Sequence, residues 1–199
     1  MRTSSGLALV ALALGSAAWV PTADFKQDSA THVWKGTVSG VAGTVFEYLA
    51  PYDRGLHKLV VWENVDDPYK ISVYKNLLSS TTTSSGIGTT LESREVKLGS
   101  SSVETVDVGD SHYITAVQVC TNNNKIKGVR IWGRSLKNDG ALNVAEIKSE
   151  YELPNCNGNW GAKVSCGDEK IATGIRAHAK EPWNGFSGLT LRCGKVIPK

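Results

Sequence analysis

The residue types best suited to bind a ligand lie in one loop near the C-terminus, residues 178–187. Trp183 offers a flat apolar face, Asn184 carries a donor and an acceptor on one amide, and Lys180 adds a charged donor. Because a sugar ring has apolar faces and polar edges, these groups could bind a polyol. A plain turn is the alternative interpretation, since three residues here are turn-forming types: Pro182, Asn184 and Gly185.

Sequence motifs of known catalytic and metal centres do not occur in the chain. There is no G-x-S-x-G, H-E-x-x-H or P-loop pattern, no C-x2-C pair, and the four histidines are scattered singly. Asp110, Ser111 and His112 are neighbours in sequence, but successive residues of a strand point to opposite faces and do not form a triad. We therefore predict no enzymatic activity, no metal and no cofactor.

The charge of the chain argues against a nucleic-acid partner. Lys and Arg number 22 against 19 Asp and Glu, a formal net charge of +3 on 199 residues. A nucleic-acid-binding domain carries a stronger, clustered excess of basic residues. Neutral surfaces such as glycans are the more suitable partners.

The N-terminus has the pattern of a secretory signal peptide. Arg2 precedes an apolar run at residues 7–14, and Ser16 and Ala18 suit a cleavage site. The run is shorter than the ~18–20 residues that span a bilayer, so no membrane span is predicted. We expect residues 1–18 to be removed on secretion, with cleavage after Ala23 as the alternative, and residues 19–31 to form a linker ahead of one domain, residues 32–199.

Short runs of alternating apolar and polar residues predict an all-β domain. One face of each strand should cover a core while the other meets solvent. The stretch 139–152 is interpreted as loop and strand rather than helix. The predicted strands are residues 58–62, 70–74, 95–98, 114–119, 127–132 and 188–193.

An internal repeat organises these strands. Residues 109–119 and 167–177 align without a gap at an offset of 58, since both open with Gly-Asp and share a threonine. A fainter copy begins at Leu56. Each copy reads strand, loop, strand, and three such units predict a closed, three-sided arrangement around one core.

Four cysteines in an exported chain predict two disulfides, for which three pairings exist. The repeat favours one of them. Cys166 opens the third copy and Cys193 closes it, so this bond would staple one sheet. Cys120 would then pair with Cys156.

The repeat resembles the β-prism, three Greek-key sheets in pseudo-threefold array, found in jacalin-related lectins and in vitelline-membrane outer-layer protein. Residues 40–46 look like the glycine-rich opening of a jacalin-type domain, and residues 56–61 and 170–176 look like its core strands. Residues 160–193 are closer to the outer-layer protein. The resemblance covers roughly residues 32–197 and implies a secreted, non-catalytic, carbohydrate-binding protein that could form oligomers.

The sugar-binding loop departs from the jacalin pattern. That pattern is G-x-x-x-D, whereas here the loop lacks the initial glycine and Ser187 occupies the position of the aspartate. A structural or defence protein without a sugar site is therefore the alternative function, and a toxin-like module with a Ser/Thr-rich hairpin near residues 79–90 is a further one. The residues assigned to carbohydrate binding are Gly40, Gly43, His178, Lys180, Trp183, Asn184 and Ser187.

Overall fold

The computed structural model describes residues 24–36, 43–64, 67–81, 85–93, 101–179 and 185–199. Within these ranges the chain forms thirteen β-strands and two single-turn 3-10 helices, Ser29–Thr31 and Pro154–Cys156. The strands are β1 (Phe25–Gln27), β2 (Val33–Lys35), β3 (Thr44–Leu49), β4 (Arg54–Asn64), β5 (Asp67–Leu77), β6 (Gly86–Glu92), β7 (Ser101–Asp107), β8 (His112–Asn122), β9 (Lys125–Ser135), β10 (Ile147–Glu152), β11 (Val164–Ser165), β12 (Lys170–Ala179) and β13 (Phe186–Pro198).

The strands form three antiparallel sheets. Sheet 2 has the order β6-β5-β4-β7 and sheet 3 the order β10-β9-β8-β11. Sheet 1 repeats this order as β2-β13-β12-β3, with β1 also paired to β13. The first and last described strands therefore belong to the same sheet, and the predicted β-prism is confirmed.

One face of each sheet lines a shared core. In β4, Leu59 and Val61 are fully buried. The residues that alternate with them, Lys58, Val60 and Trp62, are only partly buried, as expected of a strand covered on one face. Five predicted strands lie inside longer observed ones, while residues 95–98 lie outside the described ranges. Core side chains contributed by all three sheets include Leu59, Val61, Ile71, Val73, Val117, Ile131, Ile175 and Leu191.

A β-bulge recurs at the same position in each sheet and confirms the repeat, including its fainter first copy. The strand register shifts at His57, Thr115 and Thr173, which are spaced by 58 residues. The carbonyl of each bulged residue accepts a hydrogen bond from the residue that directly follows the neighbouring edge strand, which is β7, β11 or β3. The donors are Val108 N (3.2 Å), Cys166 N (2.8 Å) and Ala50 N (2.8 Å), again 58 residues apart.

Part of the segment predicted as a linker belongs to the domain. Phe25 is 3% exposed and packs with a small apolar cluster beneath the prism. Gln27 is buried, and its side-chain Nε2 donates to Pro51 O (2.8 Å) and Arg54 O (2.6 Å). The alternating Phe25-Lys26-Gln27 is too short to signal a strand by itself. The stretch 139–152 is loop followed by β10, as predicted.

Candidate functional site

The candidate sugar-binding loop joins β12 to β13, and both of its ends are held by the sheet. Ala179 pairs with Phe186, and the Ser187 hydroxyl donates to His178 O at 3.0 Å. The central residues 180–184, which include Lys180, Trp183 and Asn184, lie outside the described residues. The loop therefore leaves the prism from a fixed base.

His178 and Ser187 lie within this base. His178 is 8% exposed, and its Nε2 lies 2.9 Å from Thr190 Oγ1. Burial lowers the pKa of His178, with the nearby charge of Arg176 adding to the effect, so the ring is neutral at pH 7. Ser187 is 1% exposed. The arrangement fixes the base of the loop, and direct contact of either side chain with a sugar stays a prediction.

Gly185 brings the loop close to sheet 2. Its φ of +115° is in the region that favours glycine, and a Cβ here would lie 3.1 Å from Pro68 O at the start of β5. Glycine is therefore required by both the backbone angle and the close approach. The sequence signalled only a turn at this position.

A polar cluster lies beside this approach. Asp67 accepts hydrogen bonds from Lys125 Nζ and Lys127 Nζ, each at 2.5 Å, and the Lys127 side chain is 8% exposed. Asp67 begins β5 while both lysines belong to β9, so the cluster joins sheets 2 and 3. Sequence reasoning missed it.

The amide-rich segment 121–125 forms a tight hairpin turn. Asn123 and Asn124 have φ values of +51° and +61°, the left-handed pair that a two-residue hairpin requires and that asparagine tolerates. The Asn122 side chain donates to Asn155 O at 2.8 Å. The segment therefore has the geometry of a hairpin tip.

The glycine-rich opening is described only at its end. Gly43 is half-buried immediately before β3, and Gly40 lies outside the described residues. Their assignment to carbohydrate binding stays a prediction.

The described tryptophans each carry a cation over the ring. The distances to the ring centroid are 3.6 Å for Arg130 on Trp160, 3.8 Å for Arg176 on Trp34, 4.1 Å for Lys163 on Trp132 and 5.1 Å for Lys70 on Trp62. Such stacking stabilises aromatic rings on an outer sheet face. It also occupies a surface on which a sugar would otherwise stack.

The two disulfides are those predicted, Cys120–Cys156 and Cys166–Cys193. The role expected of the second bond is wrong. Cys166 follows β11 in sheet 3, whereas Cys193 lies in β13 of sheet 1, so the bond joins two sheets instead of stapling one. The sequence repeat does not coincide with the sheets at this point, because sheet 1 takes strands from both ends of the chain.

The described part of the chain also bears on metal binding and membrane insertion. No group of three or more His, Cys, Asp or Glu side chains there is placed to hold a metal ion. None of its helices is long and apolar enough to cross a membrane.

Comparison with known proteins finds similarity among solved structures alone. No family model and no curated protein matches the chain. A single-chain recombinant jacalin is similar at a TM-score of 0.48 and 12% identity, over 84% of this chain and 96% of that one. Calystegia sepium agglutinin is similar at 0.46 and 12%, over 84% and 97%. Calsepa lectin, in complex with a biantennary N-glycan, is similar at 0.44 and 12%, over 84% and 97%.

Proposed function

We propose that this chain is a secreted, lectin-like protein that binds carbohydrate without changing it chemically. The observation that carries the proposal is the fixed base of the loop at residues 180–184. Its ends are held by the Ala179–Phe186 pair and by Gly185 against Pro68. Because the base of the loop is already ordered, binding a ligand there carries no entropic cost of fixing the base itself.

The residues of the loop suit the apolar and polar parts of a sugar. Trp183 would stack on a ring face, and the Asn184 amide would donate to and accept from its hydroxyls. The charged cluster of Asp67, Lys125 and Lys127 beside the loop would supply further polar groups at the rim. The chain's small net charge suits a neutral glycan.

Binding of N-glycans to the loop tests the proposal. The probes are a biantennary and a bisected N-glycan, the ligands present with Calsepa lectin. Trp183→Ala should weaken binding by about tenfold or more, since buried tryptophans dominate many binding interfaces. Binding would be measured by calorimetry after a glycan array has identified the preferred sugar.

Trp62→Ala is the matched control. Trp62 lies in β4 with Lys70 over its ring, and its substitution should leave glycan affinity unchanged. A folded native protein that binds no glycan on the array would contradict the proposal. That result would favour the alternative, an extracellular structural or defence protein without a sugar site.

We further infer that the protein is exported after removal of residues 1–18. The two disulfides support this, because such bonds persist in oxidising compartments.

A further inference from the structure

His57 departs from the pseudo-threefold pattern of the prism. At the equivalent bulges, Thr115 Oγ1 donates to Trp132 O (3.3 Å) and Thr173 Oγ1 donates to Arg192 O (3.2 Å). Both threonines therefore bond to the backbone of the opposite strand. The first copy has a histidine instead, and its side chain is fully buried.

The two ring nitrogens of His57 face a hydroxyl and a carboxylate. Nε2 lies 2.8 Å from Ser85 Oγ, and Nδ1 lies 3.5 Å from Asp107 Oδ1. Tyr74 packs edge-on against the ring, with the centroids 6.5 Å apart. Residue Ser85 is exposed, whereas the imidazole behind it is shielded from solvent. A serine hydroxyl that contacts a histidine, which in turn faces an aspartate, is the arrangement of an activated serine nucleophile.

Burial favours the neutral form of the His57 ring, which is the form that accepts a proton. Burial lowers the pKa of His57 and outweighs the opposing effect of Asp107, and Lys58 lowers it further while Asp110 raises it. The ring is therefore neutral at pH 7. A hydrogen on Nδ1 facing the Asp107 carboxylate leaves the Nε2 lone pair directed at the Ser85 hydroxyl.

Asp107 is itself held in place. Its Oδ1 accepts a hydrogen bond from Gly109 N at 2.7 Å, and Lys58 Nζ lies 3.7 Å from its Oδ2. In the described structure His57 Nδ1 forms no hydrogen bond, and the fixed Asp107 carboxylate, 3.5 Å away, lies where it can attract a hydrogen on that nitrogen. Interatomic distances of this kind often shorten only when a substrate is bound.

We propose that Ser85 is a nucleophilic serine, with His57 as its general base and Asp107 as the residue that positions the ring. Ser85 Oγ attacks the carbonyl carbon of an ester while its proton passes to His57 Nε2. The bond to the leaving alcohol breaks, and that proton passes to the alcohol. Water then hydrolyses the acyl-serine by the same steps and releases the acid.

The surroundings of Ser85 indicate the class of substrate. Ser85 lies at the surface just before β6, and a Cβ built on the adjacent Gly86 meets no atom of the described residues within 4 Å. Such an open position suits small, activated acyl esters. The site is separate from the sugar-binding loop. Gly185 of that loop lies against Pro68, beside the end of β4 at Asn64, and Asn64 is about 23 Å from His57 along the strand.

Covalent labelling with a small fluorophosphonate tests this proposal independently of glycan binding. Ser85 Oγ would displace fluoride from phosphorus, and the serine proton would leave with the fluoride through His57. Intact-mass analysis should show one adduct, and peptide mapping should place it on Ser85. Ser85→Ala should abolish the label, and His57→Gln should slow labelling by about 10²- to 10⁴-fold.

Ser111→Ala is the matched control, since the Ser111 hydroxyl also contacts a histidine, His112 Nδ1 at 3.3 Å, on the surface. It should leave labelling unchanged. The native protein's rate should fall in acid as His57 becomes protonated, below the ordinary histidine pKa of 6.5. The pH dependence of the native protein's labelling rate tests the role of His57 as general base if His57→Gln does not fold. A native, folded protein with no label on Ser85, or a labelling rate that does not fall in acid, would overturn the proposal.

Discussion

At the scale of single residues, Tyr113 shows how a buried polar group holds this fold together. Its hydroxyl donates to Leu77 O and receives a hydrogen bond from Ser79 N at 3.0 Å. The ring is 1% exposed and packs with Phe25 and Ile171. Burial raises the pKa of Tyr113 to about 12, because the phenolate would lose its hydration.

This pKa predicts a loss of stability at high pH. A raised pKa in the folded state means that the stabilisation is complete below pH 10, the unfolded value, and is lost between pH 10 and about 12. The loss amounts to about 3 kcal/mol from this residue. Urea unfolding at a series of pH values would measure it.

Tyr113→Phe isolates the contribution of Tyr113 from that of the other tyrosines. It should lower stability at pH 7 by about 1–3 kcal/mol, since Leu77 O loses its donor from the hydroxyl. The fall between pH 10 and 12 should become shallower than in the native protein. An identical pH profile in both proteins would contradict the assignment.

At the scale of elements, β1 links the N-terminal segment to the prism. Phe25, Lys26 and Gln27 pair with the end of β13, and Phe25 fills an apolar cluster with Leu78 and Leu136. A flexible linker would contribute nothing to stability. A packed strand contributes through the apolar area that it buries.

Phe25→Ala should therefore destabilise the domain by about 3–5 kcal/mol, the usual cost of removing a buried phenylalanine. Lys26→Ala, on the exposed face of the same strand, should change stability by no more than about 0.5 kcal/mol. Thermal and urea unfolding of both variants would measure the difference. Equal stabilities would show that residues 24–27 behave as a linker after all.

At the scale of the whole molecule, the prism closes in sheet 1, where the first and last described strands pair. Sheet 1 takes β2 and β3 from the N-terminal part and β12 and β13 from the C-terminal part. Cys166–Cys193 joins this sheet to sheet 3, whereas Cys120–Cys156 joins β8 to the single turn that follows β10. One bond therefore links two sheets, whereas the other links a strand to a nearby turn.

Removal of either disulfide by paired alanine substitutions should cost about 2–5 kcal/mol. Chain entropy alone predicts nearly equal effects, because the sequence separations are 36 and 27 residues. We expect the loss of Cys166–Cys193 to cost more, since this bond also joins two sheets. Urea unfolding of the two double variants compares them directly, and a larger cost for Cys120–Cys156 would contradict the expectation.

The sequence alone predicted five of the observed strands, the 58-residue repeat and the three-sided arrangement, and the repeat favoured the cysteine pairing that the structure shows. These features follow from local alternation and from similarity between copies, which residue types record directly. It also selected the loop at residues 178–187, whose sugar contacts stay a prediction. The packing of Gly185 against Pro68 that holds this loop was not visible at that level.

Only the tertiary structure decided three other features. These are the pairing of β1, the Asp67 cluster with its two lysines, and the contact of His57 with Ser85 and Asp107. The physical reason is the same in each case. Hydrogen bonds and ion pairs act over a few ångströms, so they depend on which distant segments the closing of the prism brings together, and no local pattern encodes that proximity.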